Sequence, residues 1–564
     1  MFIPTTKDEL KALGWQSLDV ILVTGDTYVD SPFIGVAVIG KVLLDAGFRV
    51  GIIAQPDITG ERDIRRLGEP DLFWGITSGC MDSMIANYTA IGKKRRQDDL
   101  TAGGRNNRRP DLAVIAYSNL VRRYFKNTRP IVLGGMEASL RRISHYHHPS
   151  DSIRRSILFD AKADILVYGM GERTILELAK RIRDERPVWD VRGICYIAAE
   201  KKEGFIELPS HADVGAEPAA FSRMFKIFYG NNDPVTARGL CQQQDSRYLI
   251  HNPPQLPLTP AELDHVHEPG YERDVHPYYA SRGPVRALET IRFSLTTHRG
   301  CYGECHFCAI SAHQGRTVTD RTEASILREA KVLTAHPEFK GTIQDVGGPT
   351  ANMYGIECGR KSKKGACRRK RCLTPVVCEK LKVDHSLQIA LLKKLRELPG
   401  VKKVFIGSGI RHDLILQDAD HGLEYLEEII RHHISGQLKL APEHSENEIL
   451  ALMGKPAIEG FIAFKDRFET INRRLKKKQF LTCYFIAAYP GCTLAHMGRL
   501  NRFSREVLKF RPRQVQIFTP SPSTPATLMY YTAKAYDTGK PFFVEKNSRK
   551  KEAQKNLVVK KGSE

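Results

Sequence analysis

The chain has 564 residues, 41% of them hydrophobic, with 44 Gly and 30 Pro; this balance excludes collagen-like, low-complexity and wholly disordered classes and leaves room for more than one core. Lys and Arg number 86 against 64 Asp and Glu, a net charge of +22, so a polyanion such as RNA is a permitted partner. No apolar run approaches the roughly 18 residues of a membrane span, and the opening MFIPTTKDEL has neither the basic nor the apolar region of a secretory signal, which predicts a cytoplasmic protein with no membrane partner.

Residues 1–206 predict an α/β domain. DVILVTG (19–25), an apolar-periodic helix from Ile34 to Ala46 closed by Gly47, and FRVGIIA (48–54) make a βαβ unit. Further strands are expected at LFWGIT (72–77), PIVLGG (130–135), DILVYG (164–169) and GICYIA (193–198), giving a doubly wound parallel sheet with glycines along its ligand-bearing edge. From 207 to 285 the periodicity fades and Pro, His and Gln accumulate, as in HNPPQLPLTP (251–260), so this stretch reads as a linker or packing segment. Strand–helix alternation then resumes six times over 286–535. Strands are expected near 290–296, 342–346, 402–406, 436–440, 480–487 and 514–518, a partial (β/α)6 barrel whose site lies at the C-terminal strand ends. Residues 536–564 read as a basic C-terminal segment, a short docking stretch followed by a tail.

Seven of the 12 cysteines lie between Cys301 and Cys378, and in a cytosolic chain such a concentration points to metal rather than to disulfides. Directly after the first barrel strand, TTHRGCYGECHFCAIS spaces Cys301, Cys305 and Cys308 as C-x3-C-x2-C. Three thiolates can hold three irons of a 4Fe-4S cube and leave the fourth iron open. Zinc completed by His298, His306 or His313 also satisfies the spacing, but a structural zinc has no reason to sit at a strand's C-terminal end.

The triad, with Phe307 just before its third cysteine, resembles the radical S-adenosylmethionine (SAM) superfamily. That resemblance implies SAM bound at the open iron, and a one-electron reductant driving its cleavage to a 5'-deoxyadenosyl radical. It also implies roles at later strand ends: Gly347 and Gly348 of DVGGPT (345–350) as the turn approaching the SAM amino group, Ser408 and Arg411 of GSGIRHD (407–413) at ribose and carboxylate, and Glu443 of KLAPEH (439–444) beyond the fourth strand. AAYPGCT (487–493) and IFTPSPST (517–524) resemble late-strand turns of the branch that includes methylthiotransferases. Many of those relatives have glutamate where this chain has Cys492, which reads here as a small filler.

GGMEASLRRISHY (134–146), IRRSILFDAKADILVYGMGERTILELA (153–179), IQDVGGPTANMYG (343–355) and LMYYT (528–532) together resemble the YgiQ family of radical SAM proteins over nearly the whole chain. The resemblance implies a cobalamin-binding-like domain ahead of the barrel and leaves the substrate open. Related N-terminal domains ligate cobalt through the histidine of an Asp-x-His loop. Here GDTYVDSPFIG (25–35) puts Tyr28 two places after Asp26, and a tyrosine cannot replace a neutral imidazole.

A second group, Cys358, Cys367, Cys372 and Cys378, lies in a loop with eight Lys or Arg between Arg360 and Arg371. Four thiolates suffice for zinc or an auxiliary iron-sulfur cluster, and the same cations suit phosphates. Two functional readings follow: a radical SAM enzyme acting on an unidentified substrate, RNA and protein among them, and a non-catalytic, zinc-stabilised nucleic-acid-binding protein.

Overall fold

Leu18–Thr24 (β1) is buried along almost its entire length, which explains a run of apolar residues without polar alternation: a parallel strand is covered on both faces. With it pair Val50–Ala54 (β2), Pro70–Thr77 (β3), Ile131–Leu133 (β4) and Ile165–Val167 (β5). All join in parallel in the order β2-β1-β3-β4-β5, the doubly wound arrangement in which ligand crevices open where strand order reverses, between β1 and β3. The structure, a computed structural model, describes residues 1–368 and 370–559. Two units divide the chain: 1–258 with 264–292, and 259–263 with 293 onward.

Two expectations for the first unit are corrected. GICYIA forms Ile194–Ala198 (β6), but it pairs antiparallel with β5. The stretch 207–285, expected as a linker or packing segment, belongs to the first unit except for 259–263 and, with Ile206, is built into its sheet. It supplies Ile206–Leu208 (β7), Leu240–Gln244 (β8) and Arg247–His251 (β9), extending the sheet in the order β6-β9-β8-β7 to nine strands. β8 and β9 form a hairpin across Asp245 and Ser246, with Asp245 at φ 56°, as a two-residue turn requires. The glutamines that obscured these strands are buried: Gln242 and Gln244 accept hydrogen bonds from the backbone of Ser144 (3.2 Å) and Ser156 (2.9 Å).

In the second unit the parallel strands follow one another in sequence order. Ser294–Thr296 (β10) comes first; the second strand is interrupted at Gln344 into Thr342–Ile343 (β11) and Asp345–Gly347 (β12). Lys403–Val404 (β13), Gln437–Glu443 (β14), Phe480–Ala487 (β15) and Gln514–Ile517 (β16) complete the series. β10 pairs with β12 and β11 with β13, an Ile410–Leu440 bridge carries the third position to the fourth, and β14, β15 and β16 pair in turn, every pairing parallel. Helices Glu323–Thr334, Ser386–Glu397, Ile458–Arg474 and Leu494–Phe503 connect them, the six-unit partial barrel expected from the sequence.

The expected docking stretch is the helix Ser548–Val558, capped by Asn547 and burying Lys551, Gln554 and Val558. Gln554 accepts from Ala488 N (3.0 Å) and donates to Cys492 O (3.3 Å), fixing the helix to the end of β15. Residues 560–564, the end of the expected basic segment 536–564, lie outside the described residues. No helix of the described residues is long and apolar enough to cross a membrane.

Candidate metal centre

β10 leads directly into the triad loop. His298–Arg299 pairs antiparallel with Thr319–Asp320, clamping both ends of the segment between them. Gly300 sits at φ 82°, and a Cβ there would fall 1.9 Å from Thr317 O, so the loop closes only with glycine. Gly303 N donates to Cys301 Sγ at 3.3 Å. A Cβ on Gly303 would lie 3.3 Å from Cys301 Sγ, 3.7 Å from Cys305 Sγ and 3.4 Å from Arg411 Nη1; the glycine leaves open a cradle lined by two thiols and a guanidinium.

Burial first, and then the neighbouring thiols, push Cys308 up to about 12, and Cys301 is raised for the same reasons. Thiols so placed give up their protons to a metal rather than to water. Among the described residues, Asp384, Asp418 and His421 are three ligand-bearing side chains whose ligand atoms lie within 4.8 Å of one another. Of the histidines of the zinc reading, His306 is held through Nδ1 by Leu452 O (2.7 Å) and His298 through Nδ1 by Thr297 Oγ1 (2.8 Å), and each keeps a buried Nε2 without a hydrogen-bond partner among the described residues.

The later strand ends converge on this loop. Gly347 O accepts from Thr297 N (2.8 Å), and a Cβ on Gly348 would lie 2.6 Å from His298 Nε2, so the glycine turn packs directly on the strand that carries the triad. Arg411 places Nη1 3.7 Å from Cys305 Sγ, and its other edge is clamped by Asp413. Burial raises the Asp413 carboxyl, but Arg411 more than offsets it and holds the group down at about 2. Asn352 fixes the Arg411 backbone by accepting from its N (2.7 Å) and donating to its O (3.0 Å). Glu443 is buried at φ 70°, and burial lifts it to about 7 against the pull of Lys455 and Arg411. Phe307 packs edge-on against Tyr489 with ring centroids 6.3 Å apart. Ser408 is drawn elsewhere: its hydroxyl donates to Asp345, which also accepts its N–H at 3.0 Å.

Sequence reasoning missed Asn352, Asp413, Lys455 and Tyr489. Asn352, Asp413 and Tyr489 lie in strings already singled out, but nothing local marked them; Lys455 has no motif. Cys492 is buried with its thiol pushed up to about 12, chiefly by burial, and its sulfur 3.6 Å from His444 Nε2, a core position. Of the second group, Cys358, Cys372 and Cys378 pack with Cys301 onto an apolar cluster of Tyr302, Met353, Ile356, Leu373, Leu381 and Leu414.

A six-unit parallel barrel carrying three clustered thiols after its first strand, preceded by a doubly wound sheet, defines the class: a radical SAM enzyme. The model described as radical SAM N-terminal matches residues 2–294. A UPF0313 protein of Fusobacterium nucleatum is 53% identical over 561 residues, covering 99% of both chains. One of Thermotoga petrophila is 48% identical over 569 residues, covering all of both, and one of Methanocella arvoryzae is 49% identical over 566, covering 99% of this chain and 93% of its own. The chain belongs to the UPF0313 family, also called the YgiQ family. In fold it is similar to the radical SAM methyltransferase TsrM of Kitasatospora setae, solved with cobalamin and a [4Fe-4S] cluster, with a TM-score of 0.53 and 15% identity over 91% of this chain and 78% of that one. It is also similar to the cobalamin-dependent radical SAM enzyme OxsB, solved with aqua-cobalamin and SAM, with a TM-score of 0.50 and 14% identity over 93% of this chain and 57% of that one.

The edge of the N-terminal sheet does not fit a histidine-ligated cobalamin. Beyond β1, the Asp26 carboxylate is buried and already bound by Arg109 Nη2 (2.5 Å) and Cys80 N (2.6 Å), and Arg109 also pairs with Asp98 at 3.1 Å. Tyr28, two places on, is fully buried, its hydroxyl accepting from Ile3 N (3.0 Å) and its ring stacked on His276 at 5.5 Å.

Proposed function

We propose that Cys301, Cys305 and Cys308 hold one 4Fe-4S cluster with SAM at its open iron, and that the chain reductively cleaves SAM. The observation that carries this reading is the cradle over Gly303, lined by Cys301, Cys305 and Arg411. When bound, the cluster supplies one electron, taken from an external one-electron reductant, to break the C5'–S bond of SAM and give methionine and a 5'-deoxyadenosyl radical.

The protein's own residues bind and orient. Arg411 presents a guanidinium at the mouth of the loop, where it suits the SAM carboxylate. Gly347 and Gly348 bring backbone groups within reach of the SAM amino group, because no side chain intervenes. Ser408 acts at the ribose together with Asp345, to which it is bonded, rather than alone. Glu443 closes the far side, and Phe307 against Tyr489 keeps water from the thiols. A second metal centre at Cys358, Cys367, Cys372 and Cys378, zinc or iron-sulfur, belongs to the same reading.

Against the zinc-stabilised, non-catalytic alternative stand the family and the fold, which are those of radical SAM enzymes. RNA as substrate rests on the charge of +22. The test is 5'-deoxyadenosine release by anaerobically reconstituted protein with a strong reductant, alone and with fractionated cell RNA or metabolite extract. Protein that takes up zinc but no iron contradicts the proposal. Stimulation by metabolites and not by RNA removes nucleic acid as the target.

A further inference from the structure

We propose that Cys358, Cys372 and Cys378, with Cys367 as fourth thiol, hold a second iron-sulfur cluster beside the first. The inference rests on the second metal centre of the reading above and names its metal.

The first argument is packing. Cys358, Cys372 and Cys378 come from segments separated by a cationic loop, yet all three pack on the apolar cluster around Tyr302, which Cys301 also touches. Tyr302 is itself part of the triad loop, between Cys301 and Gly303, and is 2% exposed. The two thiol groups therefore share a single wall of core, and Cys378 N donates to Cys372 O at 2.8 Å to hold the later two together.

The second argument is charge. Lys361 is buried, 4% exposed, and no carboxylate pairs with it among the described residues. Its ammonium donates to Arg316 O and to Cys372 Sγ (3.5 Å), and it lies 5.2 Å from the centroid of the Tyr302 ring. Arg360 Nη1 donates to Cys367 Sγ at 2.8 Å. Burying an ammonium against a neutral thiol and a carbonyl is costly; a centre of thiolates supplies the missing negative charge, and hydrogen bonds to its sulfurs are a usual feature of such clusters.

The third argument separates iron-sulfur from zinc. The shared wall sets these thiols against the loop that carries Cys301 and Tyr302, a place where a redox-active centre has a use and a redox-inert zinc ion has none.

The experiment counts iron, acid-labile sulfide and zinc in anaerobically reconstituted full-length protein and two variants, C301A/C305A/C308A and C358A/C372A/C378A. With two cubes, wild type holds about eight irons per chain and each variant about four; the iron kept at the triad shows that the second-group variant is folded. The inference is overturned if the triad variant, folded by circular dichroism, holds no iron, or one zinc in its place. If wild type holds about four irons that the triad variant keeps and the second-group variant loses, the triad reading fails and this one stands.

Discussion

Arg411 Nη1 lies 3.7 Å from the sulfur of Cys305, while the rest of its guanidinium is clamped by Asp413, both side chains almost fully buried. The pair ties the third strand's end to the triad with a fixed positive charge. Arg411→Ala leaves Asp413 buried and unpaired, which costs on the order of 3 to 5 kcal/mol, whereas R411A/D413A recovers most of that stability. Denaturant unfolding separates the two variants. SAM affinity is reduced in both, because the guanidinium is missing from both; recovery of SAM binding in the double variant contradicts a role for Arg411 at the ligand.

Two glycines have distinct consequences. Gly300→Ala forces a Cβ onto Thr317 O at φ 82°, so the triad loop opens and iron uptake falls severalfold. Gly348→Ala puts a Cβ 2.6 Å from His298 Nε2 and 2.7 Å from His298 O, so SAM affinity drops while iron uptake falls less than in Gly300→Ala. Equal iron loss in both variants contradicts the assignment of the second turn to SAM rather than to the cluster.

In the N-terminal sheet, Arg109 is the buried counter-ion of both Asp26 and Asp98. Arg109→Ala destabilises the chain by about 3 kcal/mol or more, and R109A/D26N by less. Unfolding midpoints of the single variant within error of wild type contradict this account of the β1 edge.

Asp418 gives a pH signature. Burial raises its carboxyl, but hydrogen bonds from His385 Nδ1 (2.7 Å) and from the backbone of His421 and His385 more than offset burial and hold it at about 2. A carboxyl lowered on folding stabilises the native state above its unfolded value near 4 and loses that contribution as pH falls toward 2. Asp418→Asn is therefore less stable than wild type at neutral pH by on the order of 2 kcal/mol, and the gap narrows below pH 4. A gap independent of pH contradicts the assignment.

The parts of the fold legible in the sequence were those with one dominant signal. The six barrel strands stood out as short apolar runs because parallel strands are covered on both faces, and Cys301, Cys305 and Cys308 stood out because their spacing is local. β8 and β9 were hidden because Gln242 and Gln244 spend their buried amides on the backbone of Ser144 and Ser156, which erases the alternation a strand normally shows. Asn352 and Asp413 bear on the triad only through Arg411, which they hold by its backbone and its guanidinium, and Lys455, just beyond the helix Asn447–Met453, acts on Cys301 by its charge; these relations are created only by folding. Ser408 was legible as a strand-end hydroxyl, but its capture by Asp345 was not.

The most direct test of the triad as a SAM-binding cluster is electron paramagnetic resonance of the reduced, reconstituted protein before and after adding SAM. The account predicts a reduced-cluster signal whose g-values shift on adding SAM, and loss of that shift in C301A/C305A/C308A even where iron remains elsewhere. A wild-type signal indifferent to SAM, or a shift that survives removal of the three cysteines, contradicts it.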